Sequence, residues 1–92
     1  MRRFSRKIRK LTADLLDLPQ DVVFDLPRMT MIGDRQLYIE NHRGVLHFSQ
    51  DRLRLALSKG ELEVSGADLV IRGIWTEEVF IEGRIVAIQM FG

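Results

Sequence analysis

Gln36-Leu37-Tyr38-Ile39-Glu40-Asn41-His42-Arg43-Gly44, followed at once by Val45-Leu46-His47-Phe48-Ser49, decides the fold class. Leu37 and Ile39 alternate with Gln36, Tyr38 and Glu40, the period of two that marks a half-buried strand. Asn41-His42-Arg43-Gly44 supplies turn chemistry, and Gly44 takes a positive φ without steric cost. The stretch therefore predicts a strand, a tight turn and a second strand. Downstream, the same apolar alternation is punctuated by glycine to the end of the chain.

Working outward, Met29 to Ile32 ends at Gly33-Asp34, and Leu53, Leu55 and Leu57 alternate with polar residues. Leu62 and Val64 follow Gly60, Leu69 to Ile71 follow Gly66, and Val79 to Ile81 and Ile85 to Ile88 flank Gly83 as a final hairpin. Short strands at regular spacing with turns between them predict an all-β sheet, sandwich or barrel. Leu37, Leu53, Leu69 and Ile85 recur at intervals of 16 residues. That period fits either an antiparallel meander of equal hairpins or the coils of a small solenoid. Short turns and one-sided apolar faces favour the meander. The expectation is a mainly β domain over residues 28–92, a small antiparallel sheet or sandwich built from repeated hairpins.

Ahead of it, Phe4, Ile8, Leu11, Leu15 and Leu18 share one face of a helix over residues 3–18, which Pro19 stops. Residues 19–27 form a connector with two prolines. The net charge of +1 is unevenly spread: residues 1–10 hold six bases and no acid, and residues 11–27 hold four acids and no base. The bases oppose the helix dipole, so the helix needs a surface to lie on. That surface is the domain's own sheet, an anionic membrane, an acidic partner or, less favoured, nucleic acid. Arg2, Arg3, Phe4, Arg6, Lys7, Ile8, Arg9, Lys10 and Leu11 are the candidate partner- or membrane-binding residues.

Ninety-two residues without cysteine exclude a disulfide framework and thiolate metal sites. No apolar run is long enough to span a bilayer and no signal-peptide core is present, which points to a cytoplasmic protein, peripheral at most. No catalytic or cofactor motif stands out. His42 and His47 lack zinc-ligand spacing, so the pair reads as a polar turn residue and a sheet-surface residue. An enzyme would need them to converge with a carboxylate such as Glu40. Neither metal nor cofactor is expected. Both faces of the last strand are apolar, and Val86, Ile88 and Met90 form a candidate self-association surface.

Asp25-Leu26-Pro27-Arg28-Met29-Thr30-Met31-Ile32-Gly33 and Leu37 through Gly44 closely resemble the YabP/YqfC family of sporulation proteins, and Asn41-His42-Arg43-Gly44 is the most specific part. Gly60 to Gly66, Leu69 to Ile71 and Glu77 to Gly83 continue the resemblance. It implies a protein of the mother cell in endospore-forming bacteria, with a role in coat or cortex assembly and a membrane-protein partner. It implies no activity and no catalytic residues. A non-enzymatic assembly or adaptor module is expected, and a small nucleic-acid-binding protein is the alternative.

Overall fold

The computed structural model describes residues 24–92. The predicted helix over 3–18, the proposed binding residues from Arg2 to Leu11 and most of the 19–27 connector lie outside them. The described chain forms six strands: β1 (Arg28–Ile32), β2 (Gln36–Glu40), β3 (Gly44–Phe48), β4 (Arg52–Ala56), β5 (Glu61–Ile74) and β6 (Glu78–Phe91). All pairings are antiparallel, in the order β1-β2-β6-β5-β4-β3. The mainly β, antiparallel expectation holds.

The meander does not. β2 and β3, predicted to be hairpin partners, stand at positions two and six of the sheet. Glu40 pairs with Glu78 near one end of β6, whereas Gly44 belongs to the row Gly44–Ala56–Glu61–Phe91 at its other end. On a straight strand those ends would lie roughly 43 Å apart. Three linking residues reach about 14 Å. The β5–β6 ribbon must therefore fold back on itself, so that Asn41-His42-Arg43 crosses between two layers about 10 Å apart.

The fold-over is built where β5 and β6 bend. Register shifts separate Ser65 from Gly66, Ala67 from Val70 and Ile71 from Gly73. At Gly66 a Cβ would stand 2.0 Å from the Arg84 carbonyl oxygen, so only glycine allows the strands this close. Gly83, at φ 144°, faces the Asp68 backbone across the same corner. The turns of the two short hairpins satisfy the bent backbone. Gly66 and Leu69 donate to the Asp51 and Gln50 carbonyls at 3.0 and 2.8 Å, and Gly83 and Ile85 donate to Arg35 and Asp34 at 2.9 and 2.7 Å. The expected hairpin at Gly83 is thus one continuous, bent strand.

Each layer has four strands. One is β1, β2, the first half of β6 and the second half of β5; the other is β3, β4, the first half of β5 and the second half of β6. Directly opposed residues share a face, which gives the rows Met31–Leu37–Ile81–Ile71 and Phe48–Leu53–Val64–Ile88, one in each layer. The inner members of both rows have no exposed surface, and all belong to one cluster. The layers bury each other.

The 16-residue interval survives in altered form. Leu37, Leu53, Leu69 and Ile85 are all in the core. Each follows the corner of its unit, which is a hairpin turn in the first two units and a bend within a strand in the last two. Leu46, one such interval before the buried Leu62, sits at the bulge of edge strand β3, where it is exposed.

Candidate interaction site

The crossover at residues 41–44 closes the end of the sandwich opposite the bends. His42 donates its backbone N–H to the Glu77 carbonyl at 3.0 Å, and Arg43 donates to Ala56 at 2.7 Å, so each neighbouring residue is stitched to a different layer. Asn41 takes φ 70°, a conformation asparagine tolerates, and Gly44 takes φ 148°. The Asn41 amide donates to Asp25 Oδ1 and to the Leu26 carbonyl, both at 3.0 Å. Arg43 bridges Asn41 Oδ1 and Asp25 Oδ1, each at 2.6 Å. The bond from Asn41, reinforced by Arg43, holds the Asp25 carboxyl below the usual aspartate range. These contacts pin the start of the described chain to the crossover.

His42 departs from its predicted role as a polar turn residue. Its side chain is 1% exposed. Nδ1 accepts from the Gly44 N–H at 3.0 Å, and that bond leaves the proton of the neutral ring on Nε2. Nε2 is buried with no hydrogen-bond partner. The imidazole works here as a plug over the end of the core. His47 keeps its surface position and reaches Ser49 Oγ at 3.3 Å, and Ser49 donates to Asp51 at 2.6 Å. The serine sits between histidine and aspartate and gives its proton to the carboxylate, the wrong order for activating its oxygen. His42 lies in the crossover ahead of β3 and His47 near the far end of that strand, in separate hydrogen-bond networks, so His42, His47 and Glu40 do not converge. No group of three His, Cys, Asp or Glu side chains among the described residues is placed to hold a metal ion.

A profile of the YabP family matches residues 25–91. The chain belongs to the YabP family. It is 47% identical over 74 residues to the uncharacterized protein YqfC of Bacillus subtilis (strain 168), an alignment that covers 80% of each chain. No solved structure matches. The YabP match takes in the whole sandwich, from the Asp25 anchor to the last strand.

Two of the surfaces that expose aromatic or apolar side chains lie on the outer face of the first layer and along the last strand. On the outer face of the first layer, Tyr38 meets Phe80 edge to face, with centroids 6.2 Å apart at 78°, and the exposed Trp75 indole lies over Gly73. Gly73 is opposite Phe80, so these aromatics form one row across the layer. Tyr38 and Trp75 lie far apart in the sequence, and joining them needs the non-local pairing of β2 with β6. The second surface is the open end of β6. Met90 and Val86 are exposed there, 53% and 68%, whereas Ile88 packs partly against the core. Val86 stands at the bulge beside the bend, out of line with the other two.

Proposed function

We propose that this YabP-family protein is a non-enzymatic assembly module of sporulation, in which the β-sandwich presents its surfaces to partners and residues 1–18 supply attachment. The resemblance to sporulation proteins supports the setting: the mother cell, a membrane-protein partner, and a step in coat or cortex formation. The uneven charge carries the attachment. Residues 1–10 hold six bases and no acid, whereas residues 24–92 hold eight bases against ten acids. A positive segment with Phe4, Ile8, Leu11, Leu15 and Leu18 at helical spacing suits the surface of an anionic bilayer, where apolar burial and electrostatic attraction add.

Flotation of the full chain on anionic and neutral vesicles, beside a chain lacking residues 1–18, tests the attachment. Binding to anionic vesicles by the full chain alone, lost in salt, is the expected result. Equal behaviour of the two chains overturns the lipid anchor. The same cluster of bases is a footprint for phosphate backbones, and a low-salt gel shift abolished by neutralising Arg2, Arg3, Arg6 and Lys7 would transfer the reading to nucleic acid.

A further inference from the structure

A sheet folded in this way leaves four strand edges unpaired among the described residues: β1, β3, the 70–74 half of β5 and the 87–91 half of β6. Open edges template association, and natural proteins guard them with short strands, charges, prolines or bulges. Three of the four are guarded. β1 is five residues long and begins at Arg28, directly after Pro27. β3 is equally short and is bulged at Leu46. The β5 half carries Arg72, with register shifts on both sides of the pair Val70–Ile71.

The β6 half is equally short and has no further guard. Ala87-Ile88-Gln89-Met90-Phe91 contains no charge and no proline, and it pairs with residues 61–65 in unbroken register. The turn before β2 occupies the edge as far as Ile85, through its bonds to Gly83 and Ile85, and among the described residues the segment from 87 to 91 is left open. Its core-side row ends in half-exposed Met90.

We propose that this edge is the interface of a two-fold dimer, in which β6 of one copy pairs antiparallel with β6 of a second copy about an axis at Gln89. The occupant follows from chemistry and symmetry. The edge offers no charge to the six-base N-terminal segment, and the acids beside it, Glu61 and Glu63, are already bridged by Arg54 at 2.5 and 3.5 Å. A second copy of the same five residues is complementary without adjustment. With Gln89 opposite its counterpart, Ile88 faces Met90 of the second copy and Ala87 faces Phe91, so no like charges meet. The apolar row Phe48–Leu53–Val64–Ile88 then runs on into the second molecule. The two-fold axis closes the contact, which yields dimers rather than fibres. Five paired residues make a small interface, so the dissociation constant falls in the micromolar range or weaker.

The chain has no cysteine, which makes cross-linking specific. Under mild oxidation the full chain with Gln89→Cys forms a disulfide-linked dimer, because residues opposed on the axis stand about 5 Å apart. Ala87→Cys lies roughly 14 Å along the strand from its own counterpart and stays monomeric. Sedimentation equilibrium of the unmodified chain shows a monomer–dimer equilibrium. Gln89→Lys, on the exposed outer face opposite Glu63, keeps its circular dichroism and loses dimer affinity at least about tenfold by setting like charges on the axis. A chain that stays monomeric at every concentration overturns the proposal. So do assemblies larger than a dimer, equal cross-linking at positions 87 and 89, or undiminished dimerisation of folded Gln89→Lys.

Discussion

At the scale of the residue, the Tyr38 hydroxyl offers a direct probe of the native sandwich. It donates to the Glu78 carboxylate on the neighbouring strand, and that bond, with smaller effects of burial and of the Glu78 and Glu40 charges, pushes its pKa up to about 12. A raised phenol pKa means that the folded state keeps a proton the unfolded chain has already lost. The contribution to stability is whole below pH 10 and disappears as pH rises through 12. Tyr38 is the single tyrosine, so tyrosinate absorbance reports it alone. Native protein should ionise near pH 12 and protein in denaturant near pH 10, with Glu78→Gln bringing the native value down. Coincident native and denatured titrations would rule out the bond. Tyr38 and Glu78 are 40 residues apart, so nothing in their local sequence announces the contact.

Among elements, burial follows position in the layer more closely than hydrophobicity. Leu53 on β4 has strands on both sides and no exposed surface, whereas Leu46 on edge strand β3 is 53% exposed. Leu53→Ala should cost about 2–5 kcal/mol, as lost transfer energy and a cavity add. Leu46→Ala should stay within about 0.5 kcal/mol. Urea unfolding of the two variants distinguishes them, and equal costs would mean that β3 is covered as deeply as β4. The alternation of apolar residues finds every strand segment, though only as short pieces of β5 and β6, and it treats Leu46 and Leu53 alike. It also predicts hairpins on both sides of Gly66 and Gly83, where the chain runs on as bent strands. A glycine between apolar runs signals a corner in either case. Whether the chain reverses or only bends depends on the partner strand, here the paired bends of β5 and β6.

For the whole molecule, those bends are the condition for closing the sandwich. Gly66→Ala sets a methyl group against the Arg84 carbonyl, a backbone atom that cannot turn aside. The substitution should cost more than about 3 kcal/mol, a large part of the stability of a domain this size. Gly33 has φ 55° but open space around it, so Gly33→Ala should cost only about 1–2 kcal/mol from backbone conformation. Thermal unfolding of the pair decides: comparable losses would show that the corner yields, and that the close approach at Gly66 does not hold the layers together.

The amino-acid sequence by itself determined the strand positions, the antiparallel β class and the 16-residue recurrence of Leu37, Leu53, Leu69 and Ile85, because alternation and turn chemistry are local. The recurrence marks corners whatever the chain does there. Only the tertiary structure decided that Asn41-His42-Arg43-Gly44 crosses between layers instead of turning a hairpin, and that His42 lies buried beneath the crossing. Those outcomes depend on β2 pairing with β6, some 40 residues away, and no periodicity along the chain records which strand another will choose.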